Sequence, residues 1–167
     1  FMLIASMNPC PCGYYGSEEK VCKCSEQSIE RYLNRISGPL LDRIDLHVEV
    51  KPVKYQKLNS NIKPETSNQI KQRVNKARRI QYLRYKDTGI YSNAELTPQM
   101  IERYCKIDEQ SKKILEQAFN KLGLSARAYS RILKVARTIA DLEESKDIQV
   151  RHLAEAIQYR SLDKFIK

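Results

Sequence analysis

No stretch of this 167-residue chain is apolar over the length a membrane helix needs, so no contact with the lipid interior is expected. The glycine-rich loop G-x-x-x-x-G-K-[ST] is missing, so these residues alone cannot complete a cradle for nucleotide phosphates. No Ser or Cys sits in a nucleophile elbow. The two histidines, His47 and His152, lack Cys, His or acidic companions at ligand spacing and read as structural or surface residues. Internal repeats and low-complexity tracts are lacking too. A basic, apolar leader is also missing at the amino end, so no export signal is seen and a cytoplasmic location is expected. That reducing setting counts against disulfides.

What is present is ordinary for a folded protein: 41% hydrophobic and 30% charged residues. The length would serve one domain with a full core, or half of an α/β sheet with a helical satellite, and the second is expected. Thirty Lys and Arg against twenty Asp and Glu give +10, which favours a polyanionic partner, nucleic acid or nucleotide phosphate, although such a charge also serves solubility alone.

The run FMLIASMN, residues 1–8, predicts a buried parallel strand that delivers Asn8 at its carboxyl end, where α/β folds place chemistry. A sheet able to bury both faces of that strand needs more chain, so the sequence is expected to be the later part of a domain. A Cys, Pro and Gly rich excursion over 9–24 then gives way to a helix over 25–37, with Ile29, Tyr32, Leu33 and Ile36 on one side and Gly38-Pro39 as its stop. Residues 40–50 read as a helical turn running into a strand in which Leu46, Val48 and Val50 alternate with His47 and Glu49, closed by Pro52. The aperiodic stretch 53–64 reads as a linker between a first unit, 1–52, and a second, 65–167. Everything in the second unit reads as helix: about 65–86, 98–105 behind Thr97 and Pro98, 108–121 ending near Gly123, 126–143 and 150–159. The helix over 126–143 is apolar around most of its circumference and is expected to be the centre of a small bundle. The predicted class is mainly α with a partial α/β portion.

Cys10, Cys12, Cys22 and Cys24 form two C-x-C pairs separated by nine residues, with Pro9 and Pro11 stiffening the first arm. Two short thiolate pairs that close into a tetrahedron are what structural zinc requires, and no open fifth position is evident. Cysteines without metal, disulfides or redox chemistry remain the alternatives at this level. Zinc on four thiolates would lower the net charge to +8. Cys105 stands alone and reads as a small buried hydrophobe.

Asn8 either orients a water or phosphate oxygen or forms a turn before Pro9. Arg43, in LLDRID, is either a surface ion-pair member or an arginine that reaches a neighbour's phosphates. Arg127, Arg131, Lys134 and Thr138 recur at four, three and four residues, so they share a helix face flanked by Ser130, Arg137 and Asp141, and in isolation a solvated face is the better reading. The helix over 65–86 carries seven basic residues with Tyr82 and Tyr85 among them. It is either a nucleic-acid contact or a solvated helix resting on Ile70, Val74 and Ala77.

Three stretches, IASMNPCPCGYYG, RYLNRISGPLLDRIDLHVEV and LSARAYSRILKVARTIADLE with the following HLAEAIQYRSLD, resemble the carboxyl-terminal part of the magnesium-chelatase-like AAA+ ATPases of the ComM (YifB) group. The resemblance covers nearly the whole chain in the family's order. It implies that Asn8 is the sensor 1 residue that places the attacking water, Arg43 the arginine finger inserted into a neighbouring subunit's site, and Arg127 the sensor 2 residue of the lid; Arg35 and Arg131 match more weakly. The four cysteines fall in the insertion the family carries after sensor 1. The resemblance further implies ATP and Mg2+ as cofactors of the intact protein, a hexameric ring of identical subunits, and DNA, single-stranded or branched, as partner. The phosphate loop and the acidic magnesium strand are absent, so these residues alone are expected to be inactive. Two other functions stand beside this one: a magnesium chelatase subunit acting on a tetrapyrrole, and a non-enzymatic zinc module that binds nucleic acid.

Overall fold

The computed structural model describes residues 2–50 and 64–160. Seven α-helices form among them: α1 (Glu26–Leu33), α2 (Gly38–Leu41), α3 (Ser67–Tyr85), α4 (Pro98–Tyr104), α5 (Glu109–Leu122), α6 (Ala126–Leu142) and α7 (Val150–Gln158), with one 3-10 turn, Asn93–Glu95.

Each start is written locally. Ser25, Thr66, Thr97, Asp108 and Ser125 sit in extended backbone, and each accepts a bond from the amide three residues on, satisfying a donor the helix cannot. Thr66 and Gln69 complete a reciprocal capping box. Gly123, with φ of 59°, ends α5 in the left-handed region, and Leu124 N then donates to Phe119 O at 3.1 Å.

The helices from α3 to α7 pack around α6, as its apolar circumference predicts. Ala128, Ile132, Leu133, Ala136, Ile139 and Ala140 are buried against Tyr85, Leu96, Ile101, Cys105, Leu115, Ile148, Leu153 and Ala156, and α6 touches α3, α4, α7 and the 3-10 turn. The leucines and isoleucines among them contribute about 1.5–3 kcal/mol each when removed from water, which is why tertiary packing rather than propensity holds these short helices.

One polar group is locked inside this core. The Asp141 carboxylate, fully buried, accepts from both terminal nitrogens of Arg84, from Asn93 Nδ2 at 2.9 Å and from Arg137 Nε at 3.1 Å. Tyr85 donates to Asn93 Oδ1 at 2.6 Å. Burial works against the charge on Arg84, but bonding to Asp141 outweighs it and raises its pKa; on Arg137 burial prevails and the pKa falls. The polar side of α6 read as solvated is therefore partly interior. Arg137 and Asp141 are buried, Thr138 accepts from Asn93 Nδ2 at 3.0 Å, and Lys134 Nζ donates to Ala94 O at 2.9 Å, because the chain between α3 and α4 folds over that side.

Other expectations are corrected. Residues 2–8 form no strand, and Met2, Leu3, Ile4 and Met7 are exposed; Leu46, Val48 and Val50 likewise lie outside any strand and exposed, while His47 is buried. A strand exists only by pairing, and among the described residues no neighbouring strand is present to pair with either segment. The α/β portion is thus not seen. The helix expected over 25–37 ends early: α1 stops at Leu33 with Asn34 as its C-cap, so Gly38 and Pro39 are not its stop, and Pro39 instead lies in the first turn of α2, where its fixed φ and missing amide are compatible with helix. Ile70 and Val74 do not support α3, since each is 43% exposed; the helix rests on Ala77, Gln81 and Tyr85, and its amino-terminal half overhangs the bundle. Of the expected linker 53–64, only Pro64 lies within the described residues, and Pro52 lies outside them.

Candidate functional site

The chain from Asn8 to Cys24 is irregular and folds on itself through two turns, closed by Gly13 N on Cys10 O and Ser17 N on Tyr14 O, both 3.0 Å. Gly13 holds φ of 82°, a conformation that disfavours a side chain, and its Cα faces Asn8: a Cβ there would stand 3.8 Å from Asn8 Cγ. These turns bring the four cysteines together. The Sγ atoms of Cys10, Cys12, Cys22 and Cys24 all lie within 4.8 Å of one another, with Cys10 to Cys12 at 3.4 Å, Cys12 to Cys22 at 3.5 Å and Cys10 to Cys22 at 3.7 Å. None is in a disulfide. A tetrahedron with Zn–S of about 2.3 Å has S···S edges of about 3.8 Å, so both the donor set and its size fit zinc. Fully buried Cys10 and three half-buried partners give a closed site.

The thiols divide among themselves. The backbone amides of Tyr14 and Lys23 donate to Cys12 and hold its pKa down to about 6. Cys22 is pushed up to about 12: the Cys24 amide favours its thiolate, but desolvation and the neighbouring thiols outweigh it. Cys10 is lowered, as backbone amides and Cys22 overcome desolvation and Cys12, and Cys24 is raised. A cation bound to all four would remove this mutual opposition.

A second group of residues gathers where the chain after α2 meets the bundle. Leu41 and His47 are buried, His47 N donates to Tyr159 O at 2.8 Å, and Asp45 pairs with Arg131 of α6. Between them Arg43 is exposed and donates only locally, to Pro39 O at 3.0 Å. Arg127, in the first turn of α6, is exposed, one turn before Arg131. Arg35 is exposed just beyond α1. Among the described residues no hydrogen bond or ion pair joins Asn8, Arg43 and Arg127 to one another. The structure does bring Arg131 to the Arg43 segment, and Asn8 to the cysteine loop.

Arg160 was missed by motif reading. It is 1% exposed, and its Nη1 donates to Ile44 O at 2.6 Å. A signal existed: Leu153, Ala156, Ile157 and Arg160 recur at three, four and seven residues, so the arginine continues the line of the buried face just past the end of α7.

On α3, Lys71, Arg78, Tyr82 and Lys86 lie seven, four and four residues apart, so they form one exposed stripe with Arg79 at its edge. The other basic residues are engaged elsewhere: Arg73 with Glu65 at 2.6 Å, Lys76 with Glu144 at 2.9 Å, and Arg84 with Asp141.

Comparison with known proteins matches residues 64–160 to the family described as magnesium chelatase, subunit ChlI C-terminal, and residues 1–58 to magnesium chelatase, subunit ChlI. Competence protein ComM of Haemophilus influenzae is 46% identical over 168 aligned residues, taking in 100% of this chain and 32% of that protein. The uncharacterized protein YifB of Escherichia coli is 41% identical over 99% of this chain and 32% of its own length. An uncharacterized Mycobacterium tuberculosis protein is 31% identical over 96% of this chain and 31% of its own. The chain spans about a third of the length of the curated relatives it matches.

Proposed function

The chain belongs to the magnesium chelatase ChlI family, and from that membership we propose that it is the sensing and lid part of an AAA+ ATPase that works as a ring, a hexamer, on DNA. The observation that carries this reading is the exposure of Asn8, Arg43 and Arg127, with neither arginine in an ion pair among the described residues. An arginine committed to its own chain would be paired or buried; Arg43 and Arg127 present their charge outward.

Asn8 orients the water that attacks the γ-phosphate. Arg43 enters the neighbouring subunit's site and meets the negative charge that develops on the transferred phosphoryl group. Arg127 contacts the nucleotide of its own subunit; Arg131, the weaker match, is held by Asp45 and contributes there only if that pair opens. ATP and Mg2+ are cofactors of the intact protein, and Mg2+ would neutralise phosphate charge there. The phosphate loop and acidic strand come from chain outside these 167 residues, which is supported by the one-third coverage of the relatives and by the exposed apolar run Met2, Leu3, Ile4 and Met7, suited to a sheet. Cys10, Cys12, Cys22 and Cys24 hold a structural zinc that fixes the loop against which Asn8 lies.

DNA as the partner is supported by the net charge of +10 and by the α3 stripe, whose Tyr82 is 57% exposed and available for base stacking. A tetrapyrrole substrate, which the family description favours, predicts stimulation of hydrolysis by porphyrin-bearing partners in place of single-stranded DNA. The deciding experiment replaces Arg43 by Ala in the full-length protein. ATP binding is retained and turnover falls by about 10³-fold or more, the usual worth of an arginine finger. Turnover within twofold of wild type refutes the assignment.

A further inference from the structure

α2 is four residues long, too short to hold its own shape, yet it carries the segment in which Arg43 must be held in place. Its support comes from the far end of the chain. The Arg160 guanidinium lies past the carboxyl end of α2, where Nη1 donates to Ile44 O at 2.6 Å and reaches Leu41 O at 3.5 Å, and Nη2 stands 3.5 Å from Asp42 Oδ1. Two further ties flank it: the His47 amide on Tyr159 O at 2.8 Å, and the Asp45 pair with Arg131. All three bind residues 41–47 to α6 and to the end of α7. Asp45 and Arg131 are partly exposed, so their tie is worth little; the buried Arg160 contacts dominate, because a guanidinium stripped of water cannot release its acceptors without a large penalty.

We propose that Arg160 is a positioning residue for Arg43, clamping residues 41–47 to the helical bundle so that the arginine offered to the neighbouring subunit moves with the lid that carries Arg127. The functional half of this inference rests on the reading of Arg43 given above. The clamp itself does not.

Two measurements separate them. In the present chain, hydrogen exchange is followed for Arg160→Met and Arg160→Lys. Amides of residues 42–47 exchange at least tenfold faster in Arg160→Met, while those of residues 132–140 in α6 keep their protection. Arg160→Lys, which keeps the buried charge but loses the fork, gives an intermediate rate and serves alone if the Met variant does not fold. Wild-type exchange at 42–47 in the folded variant overturns the clamp. In the full-length protein, Arg160→Met lowers kcat about 10- to 100-fold with KM for ATP and ring size unchanged, since displacement by about 1 Å is enough for such a loss. In an Arg43→Ala background the same change costs nothing further. Unchanged kcat despite faster loop exchange, or an equal loss in the Arg43→Ala background, overturns the positioning role. If Arg43→Ala itself leaves turnover normal, the finger reading fails and exchange alone still decides the clamp.

Discussion

Replacing Asp141 by Ala should be among the most damaging single changes in this chain, although the residue lies on a helix face that reads as polar. The carboxylate is fully buried and answers two guanidiniums at once, Arg84 and Arg137, whose side chains are 16% and 3% exposed. Deleting it leaves two desolvated cations without their counter-charge and takes one of the two acceptors from the Asn93 amide nitrogen. Breaking a buried pair from one side costs about 3–5 kcal/mol, against a total stability of roughly 5–15 kcal/mol for a domain. For a bundle of this size 1 kcal/mol moves Tm by roughly 4–8 °C, so the melting transition followed by circular dichroism at 222 nm should fall by roughly 12–40 °C. Lys76→Ala is the control. Its pair with Glu144 is exposed on both sides, 66% and 58%, and should be worth about 1 kcal/mol or less. Removing Arg84 together with Asp141 should recover part of the loss, because one stranded charge goes with it. An Asp141→Ala protein that melts within a few degrees of wild type would refute the reasoning, since the carboxylate could not then be neutralising buried charge.

Metal analysis of the purified chain should find one zinc per chain, lost in Cys22→Ser. Because the core around α6 includes none of the cysteine loop, removal of the metal should leave the melting of the bundle in place, and a joint collapse of both would show the two to be one unit. Cys105 is 3% exposed, and its thiol is pushed up to about 11, chiefly by desolvation. Iodoacetamide at pH 8 should therefore spare Cys105 in the native chain. The native state holds that proton more tightly than the unfolded chain, whose thiol releases it near 9, so this contribution to stability is full below pH 9 and is lost as pH rises toward 11. Rapid alkylation of Cys105 at pH 8 without unfolding would contradict its placement.

Much of residues 64–160 was legible. Thr97 caps a helix and Gly123 ends one as their types suggest, because these signals act within four residues; the structure adds Thr66, Asp108 and Ser125 as caps of the same kind. The apolar circumference of α6 named the bundle's centre for the same reason: periodicity is local geometry. Residues 2–50 were harder to read. Residues 2–8 and the alternation of Leu46, Val48 and Val50 carry strand signals, but a strand is completed by a neighbour's hydrogen bonds, and among the described residues neither segment has one. Arg137 and Asp141 were misread because a helix face does not reveal what folds over it, in this case the chain from Arg84 to Glu95.

The sequence by itself determined where helices begin and end, that one helix would be central, and that four cysteines stand in two pairs suited to a metal. Only the tertiary structure decided that the four sulfurs meet within 4.8 Å, that Asp141 holds two cations inside the core, and that Arg160 reaches 116 residues back to the Arg43 segment. Capping, periodicity and turn chemistry are short-range forces written in adjacent residues. Charge neutralisation and clamping depend on distances across the fold, which the order of residues does not contain until the chain has packed.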